Sequence, residues 1–372
     1  MAEPLHLIEA GTRPTGRPFA VRFFWPVLGG GLLAIPLLIG VHIAVGSADI
    51  GIADTFRALF GSPASDAHDT IVNNLRLPRA LVAVLAGAML GMAGALLQSI
   101  TRNPLAEPGL LGVTGGAVLA ITAYIVLIPD ASYRDAGADS GLPIPLVGMV
   151  GGLLAGATVY ALSRSRTGGV DPMRLILIGV LVASVVSSFA SLLLVRSGDY
   201  DTRRLIQWTV GSTGGRVWAH FHTIWPIALV TLPLSILAIG WANVLQLGDD
   251  VARGLGLRVE RTRLTLLVLA AALTAGAVSV VGAIGFIGLI GPHAARLSTG
   301  SNLRRQFPLS MVFTALLLLV ADIVARTATI GWVAAYFDDD AGFTASLPVG
   351  ATTALLGAPF FLYLLLRRKT IL

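Results

Sequence analysis

Ten apolar stretches separated by short polar segments run the length of the chain, and they restrict the folds open to it. They lie near 23–45, 79–99, 109–128, 143–163, 173–195, 223–243, 263–281, 284–297, 307–327 and 349–366. A helix needs roughly 20 apolar residues to cross ~30 Å of hydrocarbon. The stretch at 284–297 is too short to cross alone and reads as a half-helix, a form tolerated only where protein covers it or where it lines a cavity. Only 12% of the residues are charged, against about 25% in soluble domains. We therefore expect an all-α polytopic membrane protein, with about ten transmembrane helices in one compact bundle. Residues 1–22 are polar, carry Pro4, Pro14 and Pro18, and do not read as a signal peptide. They are expected to form an N-terminal tail, leaving 23–369 as a single membrane domain.

An even number of spans puts both termini on one side. With that side taken as the cytoplasm, 17 of the 26 Lys and Arg residues fall inside, as the positive-inside rule requires. The net charge of +6, from 25 Arg and one Lys, is thus read as an orientation signal rather than a nucleic-acid surface. There is no cysteine, so disulfide, thiolate and cysteine–metal chemistry are excluded. Small residues recur at helical spacing, Gly87 with Gly91 and Gly148 with Gly152 and Gly156, a pattern that lets helix backbones approach closely in lipid.

Few motifs carry chemistry. There is no G-x-x-x-x-G-K-[ST] loop, and the only lysine is Lys369, so the chain does not bind ATP by that device. H-E-x-x-H is absent too. His220 and His222 read as solvated or interfacial rather than as metal ligands, and Asp338, Asp339 and Asp340 as a solvated loop. In 243-NVLQLGDDVARGLGLRVERTR-263, Asp249 or its neighbour is placed to cap a short helix that Gly254 and Gly256 end. Leu247, Val251 and Leu255 form an apolar stripe on it. That stripe suits the lipid interface, the protein's own helices or a groove on a soluble partner. In 278-VSVVGAIGFIGLIGPHAAR-296, Gly282, Gly285, Gly288 and Gly291 are followed by Pro292 and His293, which predicts a bent or re-entrant segment with His293 in a structural role. Arg76, Arg79 and Arg326 end spans on the outer side, against the positive-inside bias. Snorkelling and a local Asp322–Arg326 pair account for one of them, whereas three suggest an anionic partner. In 101-TRNPLAEP-108, Pro104 and Pro108 stop helix, and Asn103 and Glu107 are placed to satisfy freed backbone groups in an inner turn.

Together these residues resemble the permeases of bacterial type II ABC importers, the FecCD-type family of iron–siderophore and vitamin B12 permeases. The resemblance runs from about Phe23 to Lys369 and rests on 76-RLPR-79, 103-NPLAEPGLLGV-113, 207-QWTVGS-212, 249-DDVARGLG-256, 282-GAIGFIGLIGPHAAR-296, 321-ADIVAR-326 and 347-LPVG-350, in the family's order. It implies a multi-pass protein of the bacterial inner membrane that pairs with a second permease subunit, the same chain or a paralogue. Two cytoplasmic ATPase subunits would hold the ATP and magnesium, with no cofactor on this chain, and an extracytoplasmic binding protein would deliver the substrate. It further implies that Asp249, Asp250, Val251, Ala252, Arg253, Gly254, Leu255 and Gly256 form a coupling helix. Arg76, Arg79 and Arg326 would be docking positions for the binding protein, and the fifth span with parts of the eighth and tenth would line the pathway. Two departures stand out. Ser346 replaces the family's Glu before L-P-V-G, and the loop 328–346, with Trp332, Tyr336 and Phe337, is long. Within the class, 207-QWTVGSTGGR-216 favours a ferric siderophore over cobalamin or haem. An ion-coupled secondary transporter would need intramembrane carboxylates, and only Asp322 lies deep in a span. An intramembrane enzyme would need a nucleophile, a metal set or paired carboxylates, which the spans do not offer.

Overall fold

The computed structural model describes residues 23–46, 50–128, 143–164, 169–300, 302–328 and 347–367. The expectations for the tail 1–22, the acidic stretch 338–340, Trp332, Tyr336, Phe337, Ser346 and Lys369 lie outside them. Among the described residues the chain is helical. In order come α1 (Phe24–Ala44), α2 (Ile52–Leu59), α3 (Asp66–Asp69), a π-helical stretch Thr70–Arg76, and α4 (Leu77–Thr101). A 3₁₀ turn Pro108–Leu111 precedes α5 (Val113–Leu127), α6 (Ile144–Ser163), α7 (Pro172–Val195), α8 (Asp199–Val210) and α9 (Trp218–Leu237). The remainder is α10 (Ile239–Leu245), α11 (Asp249–Gly254), α12 (Val259–Val281), α13 (Ile287–Thr299), α14 (Leu303–Ala328) and α15 (Val349–Arg367). Among the described residues seven helices are long and apolar enough to cross a membrane, with α5 and the apolar part of α15 as shorter apolar helices. The helix starts follow local chemistry. Pro172 opens α7 behind Asp171, whose Oδ1 accepts the Met173 N–H at 3.0 Å, and Pro78 sits in the first turn of α4.

Hydropathy does not decide which helices form the centre. Helices α4 and α7 have window hydropathies of 2.3 and 2.4, yet 78% of the α4 window is buried against 17% for α7. The difference lies in side-chain size. Gly87, Gly91 and Gly94 put one face of α4 in backbone contact with α14 and α13: a Cβ on Gly94 would lie 1.8 Å from the Gly288 carbonyl oxygen, and one on Gly87 would lie 2.7 Å from Ala315 Cα. Gly116 of α5 and Gly151 of α6 meet in the same way, each 2.6 Å from the other's carbonyl oxygen when given a Cβ. The expected stripe Gly148, Gly152 and Gly156 faces α5 and α12. Small residues thus select the inner helices, as dispersion-driven packing in lipid requires.

The short eighth stretch is a half-helix, α13, entered through non-helical residues 282–285. The left-handed residue of that bend is Phe286 (φ 63°) rather than the neighbouring Gly285, while Gly282 has φ 76°. The exposed backbone here is satisfied by two other chain segments. Ser212 N–H donates to Val281 O at 2.8 Å, Ala283 N–H to Trp208 O at 3.0 Å, and Gly350 N–H to Gly211 O at 3.0 Å. So 207-QWTVGS-212, 282-GAIGF-286 and 347-LPVG-350 are three faces of one hydrogen-bonded knot. A second departure from the sequence reading concerns the segment after α4. It is not a simple surface turn: Pro108 packs against Gly288 beside the Leu90 carbonyl, which lies on α4 ~16 Å back from Thr101 at 1.5 Å per residue. The chain re-enters the bundle before α5 begins.

Substituting Gly94 by Ala forces two helix backbones apart and is expected to destabilise by about 1–3 kcal/mol. The control Gly240→Ala, at a site with no atom within 4 Å of the new Cβ, should leave stability unchanged or raise it. Thermal unfolding of the two detergent-solubilised variants, followed by tryptophan fluorescence, checks this, and equal melting midpoints would contradict the packing account.

Candidate functional site

The two ends of the bundle carry different chemistry. At one end the 243–263 segment folds into α10, α11 and the start of α12. Leu247, Val251 and Leu255 are 61%, 50% and 64% exposed, so the stripe does not lie on the protein's own helices. Ala252 faces inward and is buried. Asp249 is not a cap. Gly248 holds the N-cap position (φ 111°), and the Asp249 carboxylate turns sideways to receive Arg263 Nη2 at 2.8 and 3.0 Å and the Arg102 guanidinium. Burial pushes the Asp249 pKa up, but hydrogen bonds and attraction from Arg263 and then Arg102 outweigh it and hold the carboxyl below the ordinary range. Because the folded pKa is depressed, this pairing contributes fully above about pH 4 and is lost only as pH falls below it. Asp250 is exposed and pairs with Arg253 at 3.0 Å, and Gly256 (φ 82°) ends the element.

The opposite end gathers residues distant in sequence. Asp322 of α14, wholly buried, receives Arg79 of α4 in a fork (Nε at 2.9 Å, Nη2 at 2.6 Å), His42 Nε2 of α1 at 2.6 Å and Thr213 Oγ1 at 2.6 Å. The expected Asp322–Arg326 pair is not what forms. Arg326 instead donates to the carbonyls of His42 (2.8 Å) and Val45 (3.2 Å), and Arg76 to that of Ile43 at 2.7 Å. These carbonyls belong to the last turn and the C-cap of α1, where no intrahelical donor remains, so the two arginines cap a helix end while staying almost wholly buried. Arg76, Arg79, Arg216 and Arg326 together line a cavity of about 380 Å³ with Gly46, Ile71, Leu75, Gly215 and Val217. Arg216 also lies 4.8 Å over the Trp208 ring. His220, read from sequence as solvated or interfacial, is buried; its Nδ1 accepts the Val217 N–H at 3.3 Å at the start of α9.

His42, Thr213 and Arg216 are members of this cluster that sequence reasoning did not single out. His42 had a usable signal, since it is the one imidazole in the apolar run 23–45, where a polar side chain needs a partner. Between the two ends lies a second cavity, of about 340 Å³, with Glu107, Pro108, Thr114, Ser187, Thr209 and Gly285 among its walls. Asn103 Oδ1 accepts the Leu105 N–H at 3.0 Å, and the Glu107 carboxylate accepts the Phe286 N–H. Pro292 lies within α13, and the His293 ring packs edge-on to Phe360 at 5.7 Å.

Comparison with known proteins adds the following. The FecCD transport family matches residues 32–367. The chain is 35% identical to the Fe(3+)-citrate import system permease protein YfmD of Bacillus subtilis (strain 168), over 88% of this chain and 90% of that one. It is 35% identical to the hemin transport system permease protein HmuU of Yersinia pestis, over 91% and 96%. It is 32% identical to the iron(3+)-hydroxamate import system permease protein FhuG of Bacillus subtilis, over 90% and 95%. Among solved structures, an inward-facing conformation of a metal-chelate type ABC transporter superposes with a TM-score of 0.72 at 26% identity, covering 92% of this chain and 99% of that one.

Removing Asp322 alone leaves Arg79 buried without its carboxylate. Asp322→Leu is expected to destabilise by about 3–5 kcal/mol, and the double change Arg79→Leu/Asp322→Leu to recover part of that loss. Melting midpoints of the two variants in detergent test this; a single variant as stable as the parent would show that the cluster does not hold α1, α4 and α14 together.

Proposed function

The chain belongs to the FecCD transport family, and from that premise we propose that it is the membrane subunit of an ATP-driven importer, carrying a ferric siderophore from a binding protein into the cytoplasm by alternating access. The observation that carries this reading is the set of near full-length relatives, which are permeases for ferric citrate, ferric hydroxamate and haemin. The permease does not itself hydrolyse ATP. We assign ATP and magnesium to two cytoplasmic ATPase subunits, because the sequence has no phosphate-binding loop. A second permease subunit would complete the pathway. The excess of basic residues at the α11 end orients that end and both termini to the cytoplasm of a bacterial inner membrane.

The geometry supports a division of labour between the ends. The exposed stripe Leu247, Val251 and Leu255 has the form of a helix face that enters a groove on a partner, and we assign α11 as the coupling helix. The arginine-lined cavity at the opposite end is where acidic side chains of the binding protein would enter. Four guanidinium groups line it while Asp322 supplies one carboxylate, held by Arg79, so the cavity keeps a positive field that attracts acidic side chains. An ion-coupled transporter is the weaker reading, since Asp322 is already locked by Arg79, His42 and Thr213. Haem is the specific alternative cargo, favoured by the haemin permease among the relatives. Binding of ferric siderophores and haem to the cognate binding protein separates the two.

Two outcomes are expected. In proteoliposomes holding the permease with its ATPase, uptake should require ATP on the ATPase side and survive an uncoupler at constant ATP; loss of uptake with the uncoupler would favour ion coupling. Val251→Asp with Leu255→Asp puts two charges into an apolar contact and should abolish co-purification of the ATPase. Retention of both the ATPase and binding-protein-stimulated hydrolysis would remove α11 from the coupling role.

A further inference from the structure

We propose that residues 102–108 are a mechanical relay, in which Arg102 and Glu107 are positioning residues that connect α11 to the central cavity. The proposal rests on the reading of α11 as the ATPase contact. It starts from the backbone. Among the described residues only Arg102 (φ 51°) and Phe286 (φ 63°) are non-glycine residues in the left-handed region, a costly conformation that persists only where the surroundings over-determine it. The two mark opposite ends of one connection. Arg102 is held by the α11 end, where its guanidinium pairs with Asp249 and donates to Leu245 O at 2.9 and 3.2 Å. Phe286 is held by Glu107, whose carboxylate takes its N–H.

The segment between is stiff. Pro104 and Pro108 have fixed φ, Leu105 N–H closes onto Asn103 Oδ1, and Ala106 N–H donates to Asn103 O at 3.1 Å. Its far end is wedged without slack. Pro108 would lie 2.7 Å from a Cβ on Gly288 of α13, and Leu110 O would lie 1.7 Å from one on Gly179 of α7. Phe286 in turn presses on Gly357 and meets Phe361 of α15, ring centroids 6.4 Å apart. A displacement of Asp249 therefore pulls on Arg102, and the short segment passes it to the α13 entrance and to α7. Glu107, Pro108, Ala183, Ser187, Gly285 and Gly288 from these pieces wall the cavity of about 340 Å³. Arg263 anchors the same carboxylate to the base of α12, so α11 has two grips: one on a long helix and one on the relay.

The test uses the full transporter in proteoliposomes, with cargo imported per ATP hydrolysed as the readout. Arg102→Ala and Glu107→Leu should each lower that ratio by about tenfold while the ATPase still co-purifies, and the double variant should be no worse than the poorer single, as for two links of one chain. Glu107→Gln keeps an acceptor for the Phe286 N–H and should retain most of the ratio. A role confined to stability would lower yield and melting midpoint and leave cargo per ATP unchanged, and that result overturns the relay. So does a double variant whose loss equals the product of the two singles. If Glu107→Leu does not assemble, the cycle is run with Glu107→Ala, which also removes the acceptor, against Arg102→Ala, and a double variant whose loss equals the product of the two singles again overturns the proposal. Val251→Asp/Leu255→Asp is the control: coupling retained there defeats the α11 reading, whereas coupling lost there and kept in the relay variants defeats the relay alone.

Discussion

Every backbone N–H and C=O in a membrane-buried protein must find a partner within the protein, and this bundle depends on how three interrupted segments meet that requirement. Unbroken helices satisfy themselves. The bend before α13, the chain after α8 and the entry to α15 do not, and they satisfy one another through Val281, Trp208 and Gly211 carbonyls. The half-helix exists because this knot covers its start. Gly350 and Gly282 belong to it because a side chain at either would strike the Val210 or Trp208 carbonyl.

Charge is handled by the same logic of enclosure. The bundle admits Asp322 to its interior with a complete set of partners from α1, α4 and the chain after α8, and it uses Arg76 and Arg326 to close the open end of α1. Such a cluster is specific more than stabilising, since buried pairs return little beyond their desolvation cost. Its effect is to hold the arginine cavity of about 380 Å³ in one shape.

The two ends are joined by tight contacts rather than by flexible loops. Helix α4 touches the arginine cluster through Arg79 and the α11 end through Arg102, and its Gly94 meets α13 between them. Interiors packed at this density transmit displacement instead of absorbing it. The proposed division of labour between the two ends depends on that property.

Much of this was legible in the residues. The apolar runs marked the spans, the Gly–Pro series marked 284–297 as a half-helix, and the motifs supported the family. The eight-residue and twelve-residue helices α2 and α8 carry no long apolar run and so leave no signal of that kind, and 101–108 reads only as an inner turn, because Pro104 and Pro108 signal a break without saying where the chain then goes. Hydropathy and helix breaking are local properties, so the residues alone establish a helical membrane bundle and the approximate places where its long spans lie. Which helices are central, that Asp322 binds Arg79 and His42 instead of Arg326, and that Glu107 holds Phe286 follow from the packing of the folded chain. Those outcomes join residues as far as 280 positions apart, and which of several possible partners a buried charge takes is set by the packing of whole helices, which no local pattern encodes.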